Sequence, residues 1–343
     1  MTGGQTPLAA PSAAGEFLIA AGLAAADDAA VWTPVTGGVS SELWRVDLPT
    51  GTICVKGALD KLRVDADWHA PRSRNAVEWE WLSFAHRTFP GCVPVPLAHA
   101  PDLGLFAMSY LPPESAPVWK QQLVAGHIDV AFAAQVGDLL GQLHRASAQD
   151  PAIRDRFATD GNFDQLRLTP YLVSTAKRHP DRAEVIAAIT GNVASTHRVL
   201  VHGDVSPKNI LCGPDGPVFL DAECAWFGDP AFDLAFVVNH LLLKTVIVPA
   251  SADRLAGAAA ALVTAYVGHV DWEPDADVSA RTARLLPALL LARVDGDSPV
   301  EYLDRVQQEH VRRIARAALE SPDGELSAKI ATLAQDLSSP ARV

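Results

Sequence analysis

The stretch His202-Gly203-Asp204-Val205-Ser206-Pro207-Lys208-Asn209, followed by Leu220-Asp221-Ala222-Glu223, decides the reading of this chain. An aspartate and, five residues on, an asparagine emerge from one tight loop. A second aspartate arrives a hairpin later, at the end of the apolar run Val218-Phe219-Leu220 that follows the turn Gly213-Pro214-Asp215-Gly216. Phosphoryl transfer asks a protein mainly for positioning and charge, and this set supplies both: a carboxylate to accept a hydroxyl proton and hard oxygen donors for a divalent cation. Asp204 is therefore the expected catalytic base, with Asn209 and Asp221 as catalytic partners that hold Mg2+.

Working outward, Glu223 lies two residues beyond Asp221. If strand geometry continues it points to the same side, as a further metal ligand or the partner of a metal-bound water. Lys56 ends the run Thr52-Ile53-Cys54-Val55, on the face opposite Ile53 and Val55. It follows the loop Thr36-Gly37-Gly38-Val39-Ser40-Ser41, whose glycines let backbone N–H groups approach a ligand. Gly37, Gly38, Ser40 and Lys56 are thus expected on nucleotide phosphates. A lysine in that role needs a carboxylate to aim it. On the helix expected over 73–87, Glu78 falls within the apolar arc of Val77, Trp81, Leu82 and Ala85, and Glu80 falls off it, so Glu78 is the expected partner. Asp229 precedes Pro230 as an N-cap. Asp233, in a helix apolar almost all round, is expected to brace the Asp204 loop. His144 reads as a satisfied packing residue.

With 343 residues, 49% apolar and 20% charged, the chain is long enough for two lobes with a sizeable core. A formal charge of -12 leaves no basic surface for nucleic acid. The four cysteines have no CxxC spacing, and no Lys or Arg precedes Arg45, so a cytoplasmic protein with free thiols and no leader is expected. The most apolar run, 234–250, is interrupted by Asn239, His240 and Lys244, and reads as a buried helix rather than a membrane span. No P-loop, GxSxG elbow or HExxH helix occurs.

Periodicity predicts helices over 13–25, 73–87, 130–146, 180–189, 230–244, 252–267, 280–293 and 300–319, and strands over 42–48, 52–55, 93–98 and 105–111. Pro49-Thr50-Gly51 turns a hairpin between the first two strands, and Pro112-Pro113 marks a lobe boundary. The expectation is an α+β, bilobal fold: a β-rich nucleotide-binding lobe over 1–110, a hinge at about 108–112, and a mostly helical catalytic and substrate-binding lobe over 111–343.

These residues resemble the aminoglycoside phosphotransferase and choline kinase superfamily, which has a protein-kinase-like fold, over nearly the whole chain. Within it the similarity is greatest to 5-methylthioribose kinases, through Cys54-Val55-Lys56-Gly57-Ala58-Leu59, Glu78-Trp79-Glu80-Trp81-Leu82, Asp221-Ala222-Glu223 and Phe232-Asp233-Leu234. The resemblance implies ATP and Mg2+ as cofactors, Asp204 as base, Asn209 and Asp221 on magnesium, and Glu223 completing an Asp-x-Glu. It implies that Lys56 and Glu78 position the ATP phosphates, and that the hinge Met108-Ser109-Tyr110-Leu111 offers backbone to adenine through Ser109 and Leu111. Ser109 departs from the acidic residue common there. Ser206-Pro207-Lys208-Asn209 is nearer the general phosphotransferase pattern, so the substrate does not carry over. Arg293 falls roughly where methylthioribose kinases place an arginine on substrate. The implied activity is ATP-dependent phosphorylation of a small hydroxylated metabolite by a monomer or homodimer, without nucleic-acid or membrane partners. An aminoglycoside O-phosphotransferase and a nucleotide-binding pseudokinase acting through partners are the alternatives.

Overall fold

The computed structural model describes residues 13–35, 41–58 and 74–339. The chain separates into two compact units, Met1–Pro112 and Pro113–Val343.

In the first unit, helix α1 (Ala14–Ala20) precedes strands β1 (Val31–Pro34), β2 (Ser41–Leu48) and β3 (Gly51–Ala58); helix α2 (Arg74–Thr88) and strands β4 (Pro96–Ala100) and β5 (Leu105–Ser109) follow. The five strands form one antiparallel sheet in the order β1-β2-β3-β5-β4. Pro49 and Thr50 make the β2–β3 turn that the sequence predicts, bringing Trp44 opposite Val55 and Leu43 opposite Lys56. Because side chains alternate along a strand, Trp44, Val46, Leu48 and Val55 share one face, where Ala14, Phe17 and Leu18 of α1 complete an apolar cluster with Leu105 and Ala107. Lys56 takes the other face. Strand β1 carries no clear alternation in the sequence, and its burial is weak.

The second unit is mainly helical: α3 (Trp119–Val124), α4 (Val130–Ala148), α5 (Pro151–Arg156), α6 (Asp160–Phe163), a π-helical segment (Asp164–Val173), α7 (Ser174–Arg178) and α8 (Ala183–Ser195). Strands β6 (Val199–Val201), β7 (Ile210–Gly213), β8 (Gly216–Phe219) and β9 (Trp226–Gly228) form two small antiparallel pairs, β6 with β9 and β7 with β8. Helices α9 (Pro230–Ile247), α10 (Ala252–Val267), α11 (Asp275–Asp295), α12 (Arg305–Ala318) and α13 (Leu326–Ser338) complete it. Helix α9 is long and apolar enough to cross a membrane, yet 89% of that window is buried within the protein. Helices α4 and α10 pack with their backbones nearly touching. A Cβ on Gly137 would lie 2.0 Å from the Leu262 carbonyl oxygen, so only glycine permits the approach. The π-helical segment was not legible in the sequence. Pro170 within it has no N–H to donate and its ring crowds the preceding turn.

Candidate active site

In the first unit, Lys56 reaches from β3 to Glu78 on α2, with Nζ 2.8 Å from Oε1 and 2.7 Å from Oε2. Both side chains are buried, so the carboxylate fixes an ammonium that burial alone would disfavour. Glu78 shares its buried helix face with Trp81, Leu82 and Ala85, as the periodicity requires.

In the second unit, the loop between β6 and β7 is held from three sides. Asp233, fully buried on the first turns of α9, accepts hydrogen bonds from the backbone N–H groups of His202 at 2.6 Å and Gly203 at 2.8 Å. Its carboxylate is in turn contacted by His144 Nε2 at 3.3 Å, while His144 Nδ1 meets the Tyr266 hydroxyl at 2.8 Å. The close α4–α10 contact makes that chain of bonds possible. His144 is thus satisfied, as expected, and also props the residue that braces the loop.

The His202 ring ties the loop to the next segment. Its Nδ1 accepts from the Asp204 N–H at 3.1 Å, so Nε2 carries the proton and donates to the Leu220 carbonyl at 3.0 Å. Burial holds this imidazole below its ordinary pKa, which suits the neutral ring that both bonds require. Gly203 between them has φ +78°, and a Cβ there would lie 2.6 Å from the Cys224 carbonyl oxygen. Asn209 is fixed from both ends. Its side-chain amide donates to the Asp204 carbonyl at 3.1 Å, and its own carbonyl accepts from Leu220 N–H at 2.9 Å. Asp204, Asn209 and the residue before Asp221 therefore belong to one hydrogen-bonded assembly.

Asp204 itself is buried, with Arg167 Nη2 at 2.9 Å and Lys208 Nζ at 3.3 Å from its Oδ2. The carboxylate raises the Lys208 ammonium above its ordinary pKa. Arg167, which the sequence reading missed, also donates from Nε to the Gly203 carbonyl. A signal existed: an arginine between Leu166 and Leu168, at helical spacing from Phe163 and Tyr171, occupies an apolar stripe and needs a buried acid.

Asp221 has φ +68°, the sole positive φ outside glycine among the described residues. Strain of this kind concentrates at functional sites. It also alters one expectation: strand geometry stops at Phe219, and the turn at Asp221 ends the alternation that was to place Glu223 on its side. Glu223 is buried, and its carbonyl accepts from Asn162 Nδ2 at 2.8 Å. The donor set of Asn209, Asp221 and Glu223 is all oxygen, with the Asn209 nitrogen already committed to Asp204. No three His, Cys, Asp or Glu side chains form a protein-only cage among the described residues. Oxygen donors are what Mg2+ takes, one or two carboxylates with its remaining positions filled from phosphate and water.

Gly37, Gly38 and Ser40 lie outside the described residues. The Ser109 N–H donates to the Val95 carbonyl at 2.9 Å, and its hydroxyl accepts from Val95 N–H, so that N–H is already used. Leu111 lies beyond the end of β5. Arg293 on α11 is buried and lines a recess together with Lys208, the neighbour of Asp204. Asp229 caps α9 by accepting from Ala231 N–H at 3.0 Å, as expected.

The fold is that of the protein-kinase-like phosphotransferases. The model of the APH phosphotransferase enzyme family matches residues 31–246, and the chain belongs to that family. A curated relative, the methylthioribose kinase of Escherichia coli O45:K1 (strain S88 / ExPEC), is 25% identical over 226 residues, which are 56% of this chain and 52% of that protein. The match thus spans about half the length of that kinase. Among solved structures, the aminoglycoside phosphotransferase of Alicyclobacillus acidocaldarius is similar with a TM-score of 0.50 and 14% identity, over 97% of this chain and 98% of the other. The amicoumacin kinase hAmiN gives a TM-score of 0.51 at 14% identity, over 90% and 87%.

Proposed function

We propose that this protein is an ATP- and Mg2+-dependent O-phosphotransferase that moves the γ-phosphate of ATP to a hydroxyl of a small molecule. One observation carries the reading: the loop bearing Asp204 is pinned by Asp233 and tied through His202 and Asn209 to the segment bearing Asp221. Such rigid placement is what a reaction governed by positioning needs.

In this reading the acceptor hydroxyl gives its proton to Asp204 as its oxygen bonds to the γ-phosphorus and the bond to the β–γ bridging oxygen breaks, leaving ADP. With Oδ2 held by Arg167 and Lys208, the other carboxylate oxygen takes the proton. Lys56, aimed by Glu78, binds nucleotide phosphate oxygens. Asn209 and Asp221 would hold Mg2+, with Glu223 as a further ligand or the partner of a metal-bound water. Bound Mg2+ supplies charge neutralisation to the phosphate oxygens. At the hinge, with the Ser109 N–H engaged, adenine recognition falls to the Ser109 carbonyl and the Leu111 backbone. The four thiols are free, in keeping with a reducing cytoplasm where ATP is at hand.

ADP release over a panel of hydroxylated metabolites, with Asp204→Asn as blank, tests the reading. Turnover that requires Mg2+ and Asp204 supports it. Nucleotide binding without turnover of any acceptor would favour a pseudokinase instead.

A further inference from the structure

Beside the Asp204 loop, within the C-terminal unit, lies a recess of about 30 Å³. Lys120 of α3, Lys208 of the loop, His240 and Lys244 of α9, Arg293 of α11, and Glu301 with Tyr302 line it. Two of its four cations have acidic partners: Lys208 meets Asp204 at 3.3 Å, and Lys120 pairs with Glu301.

Lys244 and Arg293 form no such pair; the Glu301 carboxylate on the same recess is engaged by Lys120 and acts on both cations only through its field. Lys244 is 1% exposed, and its Nζ sits 3.7 Å from the centre of the Tyr302 ring. Arg293 is 8% exposed; Nη1 donates to the Tyr171 hydroxyl at 3.2 Å and to the Ser298 carbonyl and hydroxyl, but its buried Nε has no hydrogen-bond partner. Among the described residues no carboxylate forms an ion pair with either cation. The Tyr302 hydroxyl, on the same wall, is also buried without a partner.

Buried cations without counter-ions are costly, and two on one recess repel each other. The strain shows in the titration of the lining groups. Burial and the nearby Lys120 push the Lys244 ammonium down to about 7. His240, buried and facing Arg293, Lys244, Lys208 and Lys120, is held neutral well below its ordinary pKa. An anion would complete this arrangement. The volume exceeds what one water needs and fits a carboxylate or the oxygens of a phosphate, but not a whole metabolite.

We propose that this recess is the anion subsite for the acceptor: the hydroxylated substrate carries a carboxylate or phosphate group bound by Lys244 and Arg293, while its hydroxyl reaches Asp204. The inference rests on the phosphotransferase reading above and narrows its substrate class. Lys208 sets the scale. It lines the recess and touches Asp204, so the anionic group and the reacting hydroxyl are only a few atoms apart on one small molecule. A polyamine acceptor is disfavoured, because its ammonium groups would meet Lys244 and Arg293 with like charge.

The full-length protein is assayed by ADP release with matched acceptors that differ only in charge: hydroxy acids, their primary amides, the corresponding amino alcohols, and sugar phosphates with their parent sugars. The acid or phosphate is expected to be preferred. Charge-assisted hydrogen bonds of this kind are worth about 10- to 100-fold, so the neutral analogue should show a KM higher by that factor, and Lys244→Met and Arg293→Gln should bring the ratio near one. Mg·ADP affinity, measured by calorimetry, should be unchanged in both variants; a parallel loss would assign the recess to nucleotide phosphate and overturn the proposal. An acceptor preference for neutral or cationic members would also overturn it.

A readout without turnover separates this inference from the kinase reading. Sulfate should raise the pKa of Lys244, followed by lysine-selective NMR of the wild-type protein, and Arg293→Gln should abolish the effect. Failure of sulfate to move Lys244 sinks the anion subsite even if the protein proves to be a kinase. Absence of Mg·ATP binding alongside a clear sulfate response sinks the kinase reading alone.

Discussion

Lys56 and Glu78, twenty-two residues apart on β3 and α2, form a buried pair with the ammonium within 2.8 Å of both carboxylate oxygens. Such a pair adds little net stability, yet breaking it strands a charge. Glu78→Gln should lower stability by about 3–5 kcal/mol in denaturant melts, and it should raise the KM for ATP while leaving the KM for acceptor unchanged. An unaltered ATP dependence would remove Lys56 from the nucleotide site.

Asp204→Asn keeps the shape of the side chain but removes the proposed base. A positioned base contributes about 10²- to 10⁴-fold, so kcat should fall by that range while calorimetric Mg·ADP affinity stays at the wild-type value.

The carboxylate of Asp233 is expected to act on the loop and not on substrate. Asp233→Asn leaves one oxygen for two backbone donors and sets an amide N–H against one of them. A stability loss of about 2–4 kcal/mol is expected, with kcat reduced and KM for both substrates little changed. Selective loss of acceptor affinity would show that Asp233 touches the acceptor.

Asp221 permits a comparison of conformation with charge. Asparagine tolerates positive φ and alanine does not, so Asp221→Asn should melt near the wild-type temperature while Asp221→Ala loses on the order of 1 kcal/mol. Both should need far more Mg2+ for turnover. Wild-type metal dependence in either variant would remove Asp221 from the metal site.

Lys244 gives a prediction about pH. Its folded pKa, about 7, lies below the ordinary 10.5. Below about pH 7 both folded and unfolded chains are protonated and the full cost of burial is present. Between about 7 and 10.5 the folded protein sheds the proton that the unfolded chain keeps, so the cost is relieved as pH rises. Lys244→Met should therefore stabilise the protein by about 1–4 kcal/mol at pH 6–7, with the advantage shrinking towards pH 10. A stabilising variant that damages acceptor binding is the signature of a residue kept for function.

Several features were legible early because they depend on neighbours in the chain. The Pro49-Thr50-Gly51 turn, the Asp229 cap and the placing of Glu78 on a buried arc follow from local geometry, and the structure has each of them. Arg167 was missed because its acid lies thirty-seven residues away, a separation that no local spacing bridges. The continuation of strand geometry to Glu223 failed because alternation holds only while φ stays extended, and Asp221 departs from it.

By itself, the sequence determined the class of chemistry to look for: the spacing of Asp204, Asn209 and Asp221 is a local property, set by a tight loop and one hairpin. Tertiary structure alone decided what surrounds those groups. Arg167 on Asp204, Asp233 under the loop, and Lys244 beside Arg293 each join residues distant in the chain, and only packing brings such pairs together. The cost of leaving a charge unpaired depends on burial, which no stretch of sequence states, so the recess became visible only once the helices were in place.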